Sequence, residues 1–336
     1  MTNLIDIVLL LFLCAVAVAA VRMRNLFGIA MLFGIFSLLS ASVFVVLDAA
    51  DVAMTEAAVG AGVSTILMLS TLAATGSRAR PRSKRWKLPL FVVVVTGCAL
   101  VYATLDMPRF GDPLAPIQVH PIAERFIRVS PDEMGIPNMV TPLLASYRGF
   151  DTLGETGVVF TAGIGVLALI GRRRRRDGSL VEADRGPDLA TERHPIVRVT
   201  SKLLIPAILI YACYIQAHGD FGPGGGFQAG VVFASGLMLY MLLYGVDAVE
   251  RVCSPKVLEK LIALGLLLYG SVGLVDMMQG GAFLDYRTLS HDPKHGLHYG
   301  ILLVELGVGV TVTAVVSTII FTFAGYLRRG PVAPEA

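Results

Sequence analysis

Residues Gly219–Phe233 read "GDFGPGGGFQAGVVF", a run dense in Gly and Pro set between two strongly apolar stretches. Three readings compete for it: a phosphate-binding glycine loop, a flexible hinge, and a turn between membrane spans. A dinucleotide-binding fingerprint needs a preceding strand, a βαβ unit and an acidic residue about 20 positions on, while a P-loop ends in Gly-Lys-Ser/Thr. Neither pattern is present. Gly222, Gly226, Gly230 and Ala234 instead recur at four-residue spacing. That spacing predicts one smooth helical face on which a neighbouring backbone can approach closely. Gly222, Pro223, Gly224 and Gly225 predict a tight turn leading into the helix. Gln228 then carries an amide into the apolar run, where it needs a partner.

Composition supports the membrane reading. The chain has 336 residues, 55% of them hydrophobic and 16% charged, with a mean hydropathy of +0.71. A soluble domain carries about 25% charged residues. Nine apolar runs stand out: Asn3–Val21, Leu26–Leu47, Val52–Thr75, Leu88–Leu105, Thr152–Gly171, Leu203–Ala217, Gly225–Val246, Leu258–Met277 and Leu297–Phe321. Several approach the roughly 20 residues that a helix needs to cross hydrocarbon. The sixth is short and contains Pro206. The expected fold is therefore all-α, a polytopic membrane protein with nine transmembrane helices.

The basic residues orient the helices. "MTNLID" lacks the positive charge that opens a secretory signal, and Arg22 and Arg24 follow the first run, so an uncleaved helix is expected. With the N-terminus outside and the C-terminus inside, 22 of the 28 Lys and Arg fall in inside segments. This is the asymmetry of the positive-inside rule. "GRRRRRDG" then serves as a topology anchor on anionic lipid, and no nucleic acid partner is expected. The charged stretch 172–200 reads as a cytoplasmic linker between a five-span unit and a four-span unit. "QVHPIAERFIRV" in the outside segment predicts an amphipathic piece lying on the outer surface.

Cysteine and histidine exclude several chemistries. Cys14, Cys98, Cys213 and Cys253 show no metal-ligand spacing, which argues against iron–sulfur ligation and a disulfide framework. Every His lies in a loop or at a span end and none mid-membrane, so a bis-His haem is unsupported. His291, His295 and His298 of "HDPKHGLH" suggest a metal face, but Pro293 and Gly296 are expected to interrupt the helix that would align them. No metal, cofactor or catalytic residue is therefore expected.

"HGDFGPGGGFQAG" with "VVFASGLMLYMLLYG", and "LLVELGVGVTVTAVV" in the last run, resemble the B subunit of Mrp-type multisubunit sodium/proton antiporters. The same module is a small subunit of related membrane-bound hydrogenases. "DVAMTEAAVGAG" resembles the D-type three-helix module at the C-terminal end of the Mrp A subunit, and "VTPLLASYRGFDTLGETGVV" the E-type two-helix module that follows it. The resemblance implies a D-type module over 1–76, an E-type module with a long outside loop over 77–171, the linker, and a B-type module over 201–336. It further implies a subunit of a Mrp-like or complex I-like assembly in the cell (inner) membrane, with other subunits as partners and Na⁺ and H⁺ as transported ions. Two alternatives are a small subunit of an energy-converting hydrogenase-type oxidoreductase and a purely structural scaffold.

The spans hold acids and no central Lys or Arg, so a complete pump is not expected. Glu56, Glu155 and Glu305 lie inside spans three, five and nine, and Asp276 lies near the outer end of span eight. An acid at the bilayer centre costs about 2.5–3.5 kcal/mol on insertion scales, so such residues face a cavity or a partner. These four are the candidate ion pathway, with Thr55 and Gln228 as polar intramembrane neighbours. Edge solvation by headgroups is the competing expectation for Asp48, Asp51, Asp106 and Asp276.

Overall fold

The computed structural model describes residues 2–78, 86–170 and 195–329. Among them the chain is helical, with an isolated bridge between Asn25 and Arg78. Nine helices in these residues are long and apolar enough to cross a membrane. The charged linker lies outside the described residues.

The first three spans form an antiparallel group. α1 (Thr2–Arg22) packs on α2 (Leu26–Val46), and α2 packs on the third span. Asn25 caps α2 by accepting a hydrogen bond from the Phe27 backbone N–H at 3.0 Å. The third span is α3 (Ala50–Thr55), a π-helical stretch Glu56–Val63 and α4 (Ser64–Thr75) in unbroken succession. π-helical turns widen a helix locally and recur at functional sites. α5 (Lys87–Thr104) buries none of its residues against the rest of the chain.

The segment that follows is a chain of short turns. α6 (Pro116–Val119) and α7 (Pro121–Glu124) lead into a π turn over Arg125–Val129, α8 (Ser130–Met134), α9 (Val140–Pro142) and a second π turn over Leu143–Tyr147. "QVHPIAERFIRV" is thus not one amphipathic helix. Pro121 forces His120 into an extended conformation, with ψ at 132°, and starts a new helix. Glu133 accepts a hydrogen bond from the Tyr147 hydroxyl and pairs with Arg125 at 2.7 Å, tying this segment together.

α10 (Gly149–Ile170) follows, then α11 (Pro195–His218), α12 (Gly226–Tyr244), α13 (Val246–Val252), α14 (Pro255–Met278), a 3₁₀ turn over Tyr286–Leu289 and α15 (Pro293–Arg329). α11 is longer than the apolar run suggested, and Pro206 lies inside it without ending it. Pro293 opens α15 instead of interrupting it, because the first helical position needs no N–H donor. Gly296 then sits within the helix, packed against the Tyr286 carbonyl, where a side chain would not fit.

α15 is the axis of the fold. It packs against α10, α12 and α14, and buries Ile301, Val304, Val308, Val312 and Val315. Small residues set its closest approaches. A Cβ on Gly226 would overlap the Glu305 carbonyl oxygen, one on Gly230 would sit 2.8 Å from the Gly309 carbonyl, and one on Gly265 would strike Thr311. Close backbone packing of this kind drives helix association in lipid. Gly226, Gly230 and Ala234 therefore do form the predicted face. Gly222 does not share it, since α12 begins only at Gly226 and Gly222 packs on the His218 ring.

Candidate functional site

The glycine-rich loop is held by side chains from distant parts of the chain. The Asn138 amide donates to the Gly219 and Gly222 carbonyls at 2.8 and 3.0 Å, and Thr141 Oγ1 donates to the Gly219 carbonyl at 2.6 Å. Asn138 N–H donates to the Asp220 carbonyl at 3.0 Å. Gly224 N–H donates to Asp51 Oδ1 at 3.1 Å. Gly225 adopts φ +110°, a conformation that favours glycine, and its N–H donates to the Ile215 carbonyl at 3.2 Å. Gly224 has no room for a Cβ, which would lie 2.6 Å from that same carbonyl.

Below this loop lies a cavity of about 250 Å³. Its lining draws on three distant parts of the chain: Asp51 and Thr55 from α3, Glu155 from α10, and Gly225, Gln228 and Glu305 from the last four spans. Glu305 points at the loop. Its Oε1 lies 3.0 Å from where a Gly225 Cβ would be, and its Oε2 lies 3.3 Å from the same point on Gly219. Those two glycines make the space the carboxylate occupies. Asp51 and Asp220 are close enough to act on Glu305 electrostatically. Thr55 Oγ1 donates to the Asp51 carbonyl at 3.0 Å, holding the first turn of α3 at the cavity. Tyr269 closes another side, its hydroxyl donating to the Gly149 carbonyl at 2.7 Å.

The sequence-predicted residues divide accordingly. Glu155, Glu305, Thr55 and Gln228 share the cavity, and so do Gly224, Gly225 and Gly226. Gly222 and Pro223 shape the loop above it. Glu56 stands apart, on the π stretch, with its carboxylate beside Gly60 and near Ser37 of α2. Asp276 also stands apart, and headgroup solvation does not describe it. It is fully buried, because the turn after α14 folds back over it and Thr288 Oγ1 donates to its Oδ1 at 3.1 Å. The solvated edge expected for Asp51 is likewise not what the structure shows, since its carboxylate caps the glycine loop and lines the cavity.

Sequence reasoning missed Asp220, and weighed His298 only for a metal face. Asp220 Oδ2 lies 3.3 Å from His298 Nδ1. Burial pushes the Asp220 carboxyl up from its ordinary value, and the neighbouring His298 pulls it back down. The signal was the Asp inside "HGDFGPGGG", whose conspicuous neighbours in the chain are glycines. Among the described residues no group of three or more His, Cys, Asp or Glu is arranged to hold a metal ion. His295 faces Asp292 and His298 faces Asp220, so the three His of "HDPKHGLH" do not converge.

Comparison with known proteins follows the same three-part division. A family model described as "Domain related to MnhB subunit of Na+/H+ antiporter" matches residues 196–318. Two further models, described as the D and E subunits of MBH, match residues 11–77 and 84–186. A probable K(+)/H(+) antiporter A/B subunit of Rhizobium meliloti is 29% identical over 348 residues, covering 95% of this chain and 34% of that protein. A "Putative antiporter subunit mnhB2" of Staphylococcus haemolyticus is 31% identical over 137 residues, covering 40% of this chain and 96% of that protein. A chain of the Mrp complex from Dietzia sp. DQ12-45-1b superposes with a TM-score of 0.75 at 26% identity, over 94% of this chain and 34% of that one. The chain thus spans about a third of the length of the A/B relative and of the superposed chain.

Proposed function

The chain belongs to the family of MnhB-related subunits of Na⁺/H⁺ antiporters, and we propose that it serves a multisubunit monovalent cation/proton antiporter as a membrane component. In this reading it lines an ion path through the outer half of the membrane and docks the large antiporter-like subunits. The N-terminus lies outside and the C-terminus inside, in the cell membrane. The D-type, E-type and B-type modules act as one unit, and the linker between the last two lies in the cytoplasm.

One observation carries the reading. Asp51, Glu155 and Glu305, one acid from each module, line a single cavity with Gln228. Acids within membrane spans face cavities and mark ion or proton paths. A carboxylate in such a place loses its charge by taking a proton or has it balanced by a facing cation. Exchange between those two states is the elementary step of cation/proton antiport. Glu305 is the central carrier, enclosed by the glycine loop. Glu155 is exposed on this chain and forms the mouth toward a partner protein of the assembly. Glu56 extends the path along the π stretch, one residue after the cavity-lining Thr55. Asp276, buried with one oxygen unpaired, is a side station outside the cavity.

The experiment is transport in vesicles that lack other antiporters, with the carboxylates replaced in pairs. Glu155→Gln/Glu305→Gln should leave the complex assembled and abolish cation-dependent proton movement. Full transport by that double variant would leave a docking scaffold as the role.

A second reading has its own observation. The matches to the D and E subunits of MBH favour a place in a hydrogenase-type membrane oxidoreductase whose redox centres sit on other chains. Purification of the intact assembly separates the two: iron–sulfur absorbance in the purified complex supports the oxidoreductase, and a colourless assembly supports the antiporter.

A further inference from the structure

Two groups that line no part of the cavity, Asp220 and His298, pair with each other at the glycine loop. Asp220 sits in the loop, with only 11% of its side chain exposed, while 39% of the His298 side chain is exposed beside it. His298 is therefore the more open of the two. His298 and Glu305 are seven residues apart on α15, two turns along one face and about 10 Å of rise. Asp220 pairs with His298, its chain neighbour Gly219 lies against Glu305 Oε2, and Asp220 is near enough to act on Glu305 electrostatically. Its backbone is fixed by the Asn138 N–H bond to its carbonyl, so the carboxylate is held in place rather than carried on a loose loop.

We propose that His298 and Asp220 form the outer proton relay of Glu305. The proposal rests on the reading of Glu305 as an ion and proton carrier. Protonated His298 gives its Nδ1 proton to the Asp220 carboxylate. The ring, left with its proton on Nε2, turns its bare Nδ1 toward water on the outer face, takes up a proton there and turns back to Asp220. Asp220, now a carboxylic acid, passes its proton to the Glu305 carboxylate and returns to its charged form. Reversal of the same steps releases a proton outward, and no other reactant is consumed. An imidazole both donates and accepts a proton, which suits a relay that works in both directions.

The surroundings favour this direction of transfer. Tyr299 lies beside the His298 ring, and Glu305 is close enough to Asp220 for the two carboxylates to act on each other electrostatically. The Asp220 carboxylate beside it draws a positive charge on His298 inward. Burial raises the Asp220 carboxyl above its ordinary value, against the opposing pull of His298, which favours its taking up a proton.

The test uses the purified whole complex in proteoliposomes, with radioactive sodium and rubidium efflux measured in parallel at equal pH on both sides. His298→Ala should slow efflux of the transported cation about a hundredfold, within the range a positioned acid–base group contributes. Imidazole equilibrated across the membrane should restore much of that rate and leave the unmodified complex unchanged. His298→Gln keeps a hydrogen-bond donor beside Asp220 but no exchangeable proton site, and should be as slow as His298→Ala. Asp220→Asn should be equally slow and insensitive to imidazole. A His298→Ala complex at full rate, a loss that imidazole does not restore, or a His298→Gln complex at full rate would each overturn the relay. Glu305→Gln in the same assay isolates the premise. If it abolishes efflux while His298→Ala runs at full rate, only the relay fails; if it leaves efflux intact, the carrier reading fails as well.

Discussion

Asp51 Oδ1 accepts the backbone N–H of Gly224 at 3.1 Å, joining two residues 173 positions apart. The contact stitches the first turn of the third span to the loop that opens the seventh. It gives a polar loop N–H a charged acceptor where water is scarce, a hydrogen bond worth about 1.5–3 kcal/mol. It also fixes one wall of the cavity in which Glu305 sits.

Asp51→Leu should therefore unpin the loop. Removing the acceptor leaves the Gly224 N–H unpaired, at a cost of about 1–3 kcal/mol. The expected result is lower abundance of the assembled complex on native gels, while Asp51→Asn, which keeps an acceptor oxygen, assembles. Equal abundance of the Leu and Asn variants would show that the contact does not organise the loop.

Glycine substitutions should sort by contact rather than by position in a motif. Gly226→Ala drives a methyl into the Glu305 carbonyl, and Gly265→Ala drives one into Thr311, so both should prevent assembly. Gly270→Ala and Gly157→Ala face open space and should assemble normally, or slightly better, since Ala favours a helix over Gly by about 1 kcal/mol. Detergent-extracted complex measured by size-exclusion chromatography reads the difference. A well-assembled Gly226→Ala complex would contradict the close approach of α12 and α15.

The two halves of the chain should find each other without a covalent link. Tyr269 donates to the Gly149 carbonyl at 2.7 Å and Tyr286 to the Ala145 carbonyl at 2.9 Å, both across the linker in sequence. α15 also packs on α10 and α4. A chain cut near Asp184, in the stretch outside the described residues, should copurify as two fragments. Tyr286→Phe leaves the Ala145 carbonyl unpaired and should weaken that copurification, by about 1 kcal/mol. Fragments that separate on a column would show that the linker itself holds the halves together.

Orientation is read by labelling. In a background without Cys14, Cys98, Cys213 and Cys253, a cysteine at the exposed position Leu114 should react with an impermeant maleimide in intact cells. A cysteine at Val252, exposed at the end of α13, should react only after the membrane is opened. The reverse pattern would invert the topology and with it the side from which the relay is fed.

The nine spans were legible in the sequence because hydropathy is a local property, and so was the α12 face, because a four-residue repeat of small residues has one meaning on a helix. The ends of the elements were less so. Pro293 looks like a breaker and is a helix start, and α11 extends back to Pro195 through "PIVRVTSK", where Arg198 and Lys202 interrupt the apolar signal. The site was legible only in part. Glu155, Glu305 and Gln228 stood out as polar groups in apolar runs. Asp51 and Asp276 sit at span ends, where solvation is the natural expectation, and only tertiary contacts decide otherwise. Asp51 is capped by a loop from the far half of the chain, and Asp276 is covered by Thr288 from the turn after its own helix. The Asp220–His298 pair joins residues 78 positions apart, and nothing in the spacing of either motif announces it.

The most direct test of the account is Glu305 alone. Gln matches Glu in size and keeps a hydrogen-bonding end, but it neither releases a proton nor carries charge. Cation-dependent dissipation of a pH gradient would be followed in everted vesicles, with the assembled complex quantified in the same membranes. The account predicts a Glu305→Gln complex present at normal abundance with antiport reduced to background, and partial recovery in Glu305→Asp. Antiport at the unmodified rate from an assembled Glu305→Gln complex would contradict it.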